Sequence, residues 1–480
     1  MSRWTFPVAL DPEAREPRFQ QIVRAIAADI RRGRLRPGDR LPGSRTLAES
    51  LGLHRNTVLA AYRELAAEGW IEGEARSTRV ALDLPAAPKT RPLASRGGVG
   101  FDLEADLPGP EFRPPRGALL DLAGGLPDPR LVPADLLARA LRRALRARPT
   151  PFTYGDPAGE PRLRGALSAL LAEVRGLAAP SEQVLVTGGS QMALDLLART
   201  LIRPGDRVAV EDPGYPAAWR TFQAAGAELV PLPVDGEGVS IEALERVLAE
   251  GPLRALYLTP HHQFPTTVTL TAPRRLRLLE LARRHRLAIV EDDYDFEFHF
   301  DGRPVLPLAS ADAAGVVVYL GTLSKVLAPG LRLGFLAAPR PLVEALAARR
   351  DLVDHHGNRA VERAVAELIE DGLLQRHARK MRRIYAERRE TLRDLLHRHL
   401  ASELTFDAAP GGLSFWARTP KGLDAAAWAA RAAARGVLVT AGRRFDMRGR
   451  NLPNLRVGFS ALDPKELREA VAQLKRALED

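Results

Sequence analysis

Cysteine is absent from the 480-residue chain, and lysine is scarce. The absence of cysteine excludes a disulfide framework, a cysteine-ligated zinc site and catalysis by a thiol. Long hydrophobic runs are missing as well, because no stretch reaches 18 uninterrupted apolar residues, and the opening MSRWTFPVAL lacks the apolar core of a secretion signal. We therefore expect a cytoplasmic protein without a membrane segment.

Arginine supplies nearly all of the positive charge, since only six of the 70 basic residues are lysines. The formal net charge of +11 favours a polyanionic partner, but the first 80 residues hold only 14 Arg against 10 Asp and Glu, which alone does not establish DNA binding. A lysine amine can lose its proton and condense with an aldehyde, which a guanidinium cannot do. This difference draws attention to Lys325, which lies in GTLSKVLAPGLRLGF (321–335).

The first 80 residues have the pattern of a DNA-binding module. Apolar residues at helical spacing predict a helix within 18–35, and Pro-Gly pairs end it. Ser44 is expected to cap a short helix over 45–51, and a third helix is predicted over 54–69. WIEGEARSTRVAL (70–82) then predicts two short strands around a turn. This order indicates a winged helix-turn-helix, an α+β fold that is mostly helical.

The third predicted helix would enter the major groove with its N-terminal residues towards the bases. Arginine and asparagine suit bidentate contacts with guanine and adenine, and basic residues on flanking segments suit phosphates. The candidate base-reading residues are Arg55, Asn56 and Thr57. The candidate phosphate contacts are Arg36 and Arg45, while Arg76 and Arg79 on the wing are candidates for the DNA backbone or a minor groove.

Residues 33–72, GRLRPGDRLPGSRTLAESLGLHRNTVLAAYRELAAEGWIE, resemble the DNA-binding domain of the GntR class of bacterial regulators. That class carries G-x-L-x-P-G-x-x-L-P-S-x-R-x-L-A, followed by S-R-x-T-V, A-Y, L and E-G. The wing departs from the class, because EARSTRV (74–80) stands where Gly-x-Gly-Thr is usual. The resemblance therefore implies DNA binding but does not support contacts between the wing and DNA.

The remaining chain divides into a linker and a large body. Residues 83–116 are rich in proline and glycine without a period, which predicts an extended, semi-flexible linker after a DNA-binding domain at 1–82. From 117 to 480, short apolar runs alternate with helical patterns, which predicts an α/β body with a mostly parallel sheet covered on both faces. The candidate strands are 183–189, 207–212, 228–234, 254–260, 287–293, 315–322 and 331–338.

The carboxyl ends of these strands, where open α/β sheets bind ligands, carry a consistent set of groups. A helix opened by glycine and serine suits a phosphate, and a tyrosine suits stacking on a ring. A buried carboxylate needs a cationic partner such as a protonated pyridine nitrogen, and a lysine forms a Schiff base with an aldehyde. Together these groups specify pyridoxal 5′-phosphate (PLP). They are Gly189, Ser190, Gln191, Tyr215, Asp292, Tyr294 and Lys325, with Arg332 seven residues beyond the lysine.

The same order resembles the fold-type I PLP-dependent aminotransferases over roughly 120–480, which implies a large and a small subdomain. PFTYGDPAGEPRLR (151–164) matches a segment whose tyrosine, here Tyr154, reaches the phosphate of the partner subunit, so the resemblance implies a dimer. It also assigns Asp292 to the ring nitrogen, Tyr294 to the phenolic oxygen and Arg332 to the phosphate. Lys325, Asp292 and Tyr294 are thereby the candidate catalytic residues.

Candidate ligand-binding arginines follow from the same resemblance. Arg456, in NLRVGFS, matches the arginine that grips a substrate α-carboxylate, while Arg220 is a second candidate and Arg443 or Arg444 a third. The Asn-Pro-Thr-Gly loop of the family departs here, because HHQFPTT (261–267) has no asparagine before Pro265. Either His262 or Gln263 replaces it near the phenolic oxygen, and the sequence leaves this choice open. No metal is expected.

A GntR-like winged helix joined to an aminotransferase-like body is the layout of the MocR family of transcriptional regulators. EDDYDFEF (291–298) and TLSKVLAPGLRLGF (322–335) resemble that family's versions of the motifs. The resemblance implies a head-to-tail homodimer that reads two operator half-sites at the nucleoid. Its effector would be an amino acid or PLP itself, coupled to DNA affinity. The alternatives are an active aminotransferase with an appended DNA-binding domain and a dimerisation scaffold that no longer binds PLP.

Overall fold

The computed structural model describes residues 8, 10, 11, 14, 16–73, 77–84, 119–302, 305–407 and 410–479. The chain divides into two compact units, an N-terminal unit of residues 1–106 and a C-terminal unit of residues 107–480. Apart from its first two residues, the linker predicted over 83–116 lies outside the described residues, so its extent stays a prediction. Within the described ranges, no helix is both long and apolar enough to cross a membrane.

The N-terminal unit is a winged helix-turn-helix, as the sequence predicts. Its elements are α1 (Arg18–Arg31), α2 (Ser44–Leu51), α3 (Arg55–Ala67), β1 (Ile71–Glu72) and β2 (Arg79–Val80). The two strands pair antiparallel, with Ile71 opposite Val80. Apolar residues from all three helices and the wing, among them Ile22, Leu47 and Val58, form one buried core. The helices are therefore held by the apolar faces that their periodicity predicts.

The predicted cap of α2 is wrong by one residue. Gly43 precedes the helix and Ser44 is its first residue, with no side-chain cap at this end. The Ser44 hydroxyl instead accepts a hydrogen bond from Nε of Arg55 at 3.4 Å, which links the start of α2 to the start of α3. His54 caps α3, since its Nδ1 accepts from the backbone N–H of Asn56 at 3.3 Å.

The C-terminal unit begins with a large α/β region. Its elements are β3 (Leu120–Asp121), α4 (Ala134–Arg146), α5 (Pro161–Arg175), β4 (Val184–Thr187), α6 (Ser190–Leu201), β5 (Arg207–Asp212), α7 (Pro216–Ala224), β6 (Glu228–Asp235), β7 (Gly238–Val239), α8 (Ile241–Glu250), β8 (Ala255–Leu258), α9 (Ala272–His285), β9 (Ala288–Asp293), β10 (Val317–Thr322) and β11 (Gly334–Ala337). All seven strands predicted from the sequence are present, each within a few residues of its predicted bounds.

The large sheet has the strand order β4-β11-β10-β9-β8-β5-β6-β7. Its central strands run parallel, as predicted, whereas β11 runs antiparallel to both of its neighbours and β7 to β6. Alternate residues enter opposite cores: Val290 packs with residues of α6, and Ile289 packs with residues of α8 and α9. Burial on both faces explains why these strands are continuous apolar runs rather than alternating patterns.

A smaller subdomain completes the C-terminal unit. Its elements are α10 (Arg340–Asp354), α11 (Arg359–Glu370), α12 (Leu373–His399), β12 (Ser414–Arg418), α13 (Ala425–Ala434), β13 (Val437–Leu438), β14 (Thr440–Ala441), β15 (Asn454–Gly458) and α14 (Pro464–Arg476). The sheet β12-β15-β14 places β15 in its centre, and β13 pairs with β3 from the start of the unit. The sequence analysis does not predict these short strands.

Candidate cofactor site and DNA-binding surface

Asp292 lies near the carboxyl end of β9 with one carboxylate oxygen unsatisfied. Its Oδ2 accepts a hydrogen bond from the Tyr257 hydroxyl of the neighbouring strand at 2.9 Å, whereas the buried Oδ1 has no partner among the described residues. Burial raises the pKa of this carboxyl from 3.8 to about 7. Because a buried carboxylate is costly without a counterion, this oxygen suits a cationic group that the polypeptide itself does not supply.

Lys325 follows β10 and directs its amine towards a turn made by two glycines. Nζ donates a hydrogen bond to the carbonyl oxygen of Gly125 at 2.6 Å. Burial, and secondarily the charge of Arg456, lowers the pKa of the amine from 10.5 to about 8. Gly124 and Gly125 both have left-handed backbone, with φ of 94° and 78°, which favours glycine here. The amine is therefore held in place and deprotonates more readily than an exposed lysine.

The N-terminus of α6 and the Arg332 guanidinium meet at one corner of the large sheet. Gly189 precedes the helix with φ of 98°, and a Cβ atom built on it would lie 3.3 Å from Arg332 Nη1. Backbone N–H groups at a helix start and an adjacent guanidinium together suit a phosphate. Ser190 opens the helix, and the Gln191 amide donates to the Thr221 hydroxyl at 2.6 Å, which ties α6 to α7.

Phe264 is the centre of an aromatic group beside these residues. Its ring contacts Tyr215 edge-on, with the ring centroids 5.0 Å apart, and Tyr294 at 6.0 Å. The Arg456 guanidinium carbon lies 4.4 Å from the centroid of the same ring. Phe264 thus brings together three residues that the sequence predicts for the cofactor and its ligand.

Arg456, on the central strand β15, is buried and forms no ion pair with a described carboxylate. Burial lowers the pKa of the guanidinium, while the neighbouring Tyr294 and Asp295 partly offset this effect. Nε has no hydrogen-bond partner among the described residues, and a Cβ built on Gly124 would lie only 2.9 Å from Nη1. The guanidinium and the Lys325 amine therefore approach the same glycine turn.

The loop 261–267 has its two polar candidates engaged by the protein. His262 Nδ1 lies 2.8 Å from Oδ1 of Asp295, and burial lowers the pKa of this histidine to about 3. The Gln263 amide donates to the carbonyl oxygens of Pro213 and Phe264 at 2.9 and 2.8 Å. The Tyr294 hydroxyl donates to the backbone carbonyl of His262 at 3.0 Å. Which side chain replaces the family asparagine stays open.

Other candidates lie further out. Tyr154 is 83% exposed, and its ring contacts His355 and His356 edge-on, with both centroid distances 5.8 Å. Arg220 lies on α7, and Arg443 and Arg444 lie in the turn Gly442–Phe445 between β14 and β15.

Most of the DNA-reading candidates lie in the first turns of α2 and α3, whereas Arg36 precedes α2 and Arg79 lies on β2. The exposed ones are Arg36, Arg45, Arg55 and Asn56, whereas Thr57 and Arg79 are half-buried. Arg76 lies outside the described residues. The start of α3 is thus presented to solvent with an arginine and an asparagine in its first turn.

Comparison with known proteins assigns each unit to a family. The bacterial regulatory proteins of the gntR family match residues 18–80, and aminotransferase class I and II matches residues 120–474. Over 479 residues the chain is 36% identical to the probable rhizopine catabolism regulatory protein MocR of Rhizobium meliloti, covering 98% of this chain and 95% of that protein. The chain belongs to the MocR family of transcriptional regulators.

Two further relatives support the assignment. The chain is 34% identical over 390 residues to the HTH-type pyridoxine biosynthesis transcriptional regulator PdxR of Corynebacterium glutamicum, covering 81% of each chain. It is also similar to the crystal structure of LysN, an α-aminoadipate aminotransferase of Thermus thermophilus complexed with N-(5′-phosphopyridoxyl)-L-leucine. The TM-score is 0.70 with 34% identity over 75% of this chain and 92% of that one. The predicted fold, DNA binding and PLP dependence of this MocR-family regulator are thereby confirmed.

The residues present fit PLP. The unpartnered Oδ1 of Asp292 matches a pyridinium nitrogen, and the amine of Lys325, with its pKa near 8, matches an aldehyde. A side chain at Gly189 would crowd the Arg332 guanidinium, so glycine at this turn leaves the backbone N–H groups open to a phosphate. Asp292 lies at the carboxyl end of β9, and the Gly189 turn and Lys325 follow β4 and β10, so all three features are at one edge of the sheet.

The sequence analysis misses several residues of this MocR-family site. Tyr257 lies on β8 beside Asp292, Asp295 holds His262, and Phe264 stacks against Arg456. The Gly124–Gly125 turn is missed although consecutive glycines are a visible signal of a tight turn. Tyr257 has a weaker signal, a hydroxyl-bearing residue in an otherwise apolar buried strand.

Proposed function

We propose that the C-terminal unit binds PLP through Lys325 and that an effector bound beside it sets the operator affinity of the N-terminal unit. One observation carries this proposal: the Lys325 amine and the Arg456 guanidinium approach the same Gly124–Gly125 turn. An amine that attaches a cofactor and a cation that lacks a carboxylate partner, side by side, suit a ligand that is an amino acid. The effector is an amino acid or, if its supply is what the protein monitors, PLP itself.

The cofactor would be held from several sides. Asp292 would bind the ring nitrogen and Tyr294 the phenolic oxygen, and Tyr215 would stack on the ring. The phosphate would be bound by Gly189, Ser190, Gln191 and Arg332. When bound, PLP supplies an electrophilic carbon for amines and an electron-withdrawing ring.

The residues of the chain then perform three tasks. Asp292 stabilises a positive ring nitrogen, because its pKa, although raised to about 7, falls again beside a cation. The Lys325 amine, with its pKa near 8, accepts and returns a proton at neutral pH. Phe264 packs over Arg456 and limits the access of water to that guanidinium.

Arg456 is the proposed binding site for the effector carboxylate. Arginine binds a carboxylate bidentately, and such pairs are strongest when water is excluded. The buried guanidinium has an unpartnered Nε and no described carboxylate partner, so it gains most from an incoming anion. Arg220, on α7, is the second candidate, and Arg443 or Arg444, in the turn before β15, is the third.

A head-to-tail homodimer is proposed because the surface around Tyr154 is unusually apolar. Phe152 is 75% and Leu352 is 82% exposed, and Val353 is also largely exposed. These residues flank the contact of Tyr154 with His355 and His356. Clustered exposed apolar groups mark association sites in proteins. In the dimer Tyr154 would reach the phosphate of the partner's cofactor, and the two DNA-binding units would read two half-sites. We place the protein in the cytoplasm, on the nucleoid.

An active aminotransferase is the second candidate function. It is favoured by the presence of a lysine of lowered pKa together with an unpaired carboxylate-binding arginine, the groups that a complete transamination needs. A regulator holds its ligand without turnover, whereas an enzyme regenerates the cofactor with a 2-oxo acid.

The experiment selects operator DNA from genomic fragments with the full-length protein and then measures its affinity with PLP and with single amino acids. If the protein is a regulator, PLP, or PLP with one amino acid, should change operator affinity at least tenfold in wild type but not in Lys325→Ala. Sustained turnover of an amino acid with a 2-oxo acid, at unchanged operator affinity, would favour the enzyme.

A further inference from the structure

Three buried histidines form a cluster in which only His262 is a candidate for the cofactor, and the proposed regulatory function assigns a role to none of the three. The histidine cluster consists of His261, His262 and His299, each at most 7% exposed. Each residue offers a ring nitrogen, and these nitrogens all lie within 4.8 Å of one another. The ring centroids are 4.3 Å apart for His261 and His262, 5.8 Å for His261 and His299, and 5.9 Å for His262 and His299.

The cluster holds four ring nitrogens without a hydrogen-bond partner among the described residues. They are both nitrogens of His261, Nε2 of His262 and Nδ1 of His299. Buried polar atoms in proteins are nearly always paired, because an unpaired one loses its hydrogen bonds with water and gains none in return. Four such atoms at one place indicate a bound group that satisfies several of them at once.

The partner of His262 has the arrangement seen around metal-bound histidines. Its Nδ1 lies 2.8 Å from Oδ1 of Asp295, and both side chains are almost fully buried. When the carboxylate accepts this hydrogen bond, Nδ1 carries the proton and Nε2, which has no described hydrogen-bond partner, keeps a free lone pair. A carboxylate behind the distal nitrogen fixes the tautomer and the ring orientation of a metal ligand.

The ring positions suit a tetrahedral ion. Zinc–nitrogen bonds of about 2.1 Å place imidazole centroids about 5 Å apart in a tetrahedral site, and the ligand nitrogens about 3.4 Å apart. The observed centroid distances of 4.3, 5.8 and 5.9 Å lie on either side of that value. The three candidate ligand nitrogens lie within 4.8 Å of one another, and tetrahedral coordination would bring them to about 3.4 Å.

A cavity adjoins the cluster. It has a volume of about 520 Å³ and is lined in part by Phe296, Glu297 and His299, so one histidine of the cluster borders it. Water from this cavity can occupy the fourth position of a three-histidine site, the arrangement of an open zinc centre.

We propose that the histidine cluster binds one Zn²⁺ per chain through three imidazoles, with water in the fourth position. Imidazole ligands suit zinc and the neighbouring divalent ions cobalt and nickel. The bound ion ties the loop 261–267, which carries Phe264, to His299 beyond β9. Zinc thereby stabilises the wall of the site against which Arg456 packs. The binding of zinc does not depend on the regulatory function proposed above.

The test measures metal content and Co²⁺ binding in full-length protein without a histidine tag. Wild type should bind one Zn²⁺ per chain, and Co²⁺ in its place should give the intense visible bands of a tetrahedral site. His299→Ala and His261→Gln should each weaken binding at least tenfold. His285→Ala, at the exposed end of α9, should leave it unchanged. Circular dichroism spectra and cooperative thermal unfolding report whether each variant is folded.

The proposal would be overturned if wild type did not bind about one ion per chain. It would also be overturned if folded His299→Ala and His261→Gln bound the ion as tightly as wild type does. Weak bands typical of six-coordinate Co²⁺ would also overturn it, and this result needs no variant. Removal of the ion from wild type by a chelator should lower the unfolding temperature, and an unchanged temperature would contradict the proposed tie between the loop and His299.

Discussion

At the scale of single residues, Asp292, Lys325 and Arg456 share one property, which is burial without a full set of partners. Burial raises the pKa of the first and lowers the pKa of the other two, so each charge is disfavoured by its own surroundings. A cofactor with a cationic ring and a ligand with an anionic carboxylate would restore these charges. The folded chain thus holds buried ionisable groups whose charged forms are disfavoured until a ligand of opposite charge binds.

The lowered pKa of Lys325 predicts the pH dependence of PLP capture. The neutral amine is the nucleophile, and with a pKa of about 8 its fraction rises up to that pH and levels off above it. The rate at which the visible cofactor band appears on mixing protein with PLP should therefore reach a plateau near pH 8 to 9. Nα-acetyl-lysine, measured in parallel, corrects for the titration of PLP itself. A rate that still rises tenfold per pH unit above 9 would contradict the prediction.

The identity of these residues could be predicted from the sequence, but their proximity in the folded chain could not. Residue type and order at the ends of successive strands indicate Lys325 and Asp292, since few other chemistries need this combination. The approach of Lys325 and Arg456 to one turn depends on the short strand β15, which begins 129 residues after Lys325 (454 − 325). Contacts between distant segments leave no periodic signal in the sequence.

At the scale of elements, strands that are buried on both faces are the best predicted. Each combines a short apolar run with turn residues on both sides, as in ALYL of β8, so its bounds are visible. The two-residue strands β13 and β14 are missed because their pairing with β3 and β15 arises from tertiary packing. Such strands have too few residues to show alternation.

A substitution in the turn before α6 should selectively weaken binding of the PLP phosphate. Gly189→Ala places a methyl group 3.3 Å from the Arg332 guanidinium at a left-handed φ, and should weaken PLP binding at least tenfold. Gly205→Ala is the matched control, because Gly205 also has positive φ, 88°, but nothing lies within 4 Å of the added methyl group. Both variants should lose about 1–2 kcal/mol of unfolding free energy from backbone strain.

Absorbance titrations with PLP and with pyridoxal, which lacks the phosphate, separate the two effects in the glycine variants. Gly189→Ala should weaken PLP binding more than pyridoxal binding. An equal loss of PLP affinity in Gly205→Ala would contradict a phosphate role for the Gly189 turn.

The exposed start of α3 predicts which arginine reads bases. Arg55→Ala should weaken operator binding by about 1–3 kcal/mol and relax the preference at one base pair, since a bidentate base contact is lost. Arg63→Ala makes the same change of charge on the exposed face of α3 two turns later, and should have a smaller effect that falls equally on all sequences. Fluorescence anisotropy with operator variants measures both. If Arg55→Ala left the base preference unchanged, Arg55 would not contact bases directly.

At the scale of the whole molecule, the proposed dimer predicts complementation between two defective chains. In a head-to-tail dimer, Lys325 of one chain and Tyr154 of the other would serve the same cofactor. Co-expressed Lys325→Ala and Tyr154→Ala chains would form mixed dimers with one intact site and one doubly defective site. Random pairing would then give about one quarter of all sites with wild-type PLP affinity.

Each homodimeric variant alone should show no wild-type PLP site, which a PLP titration of the separate proteins checks. Light scattering should give twice the mass of one chain for every preparation. If the co-expressed mixture contains dimers but gains no wild-type site, Tyr154 does not act across the subunits.

The central claim, that the body of this regulator holds PLP on Lys325 and responds to a ligand there, is tested most directly by the visible absorbance spectrum. The spectrum is recorded as PLP and then single amino acids are added to wild type and to Lys325→Ala. We predict a cofactor band in wild type that is absent from Lys325→Ala. One amino acid should shift this band in wild type, and the shifted band should then persist. The same band in Lys325→Ala, or no band in either protein, would contradict the claim.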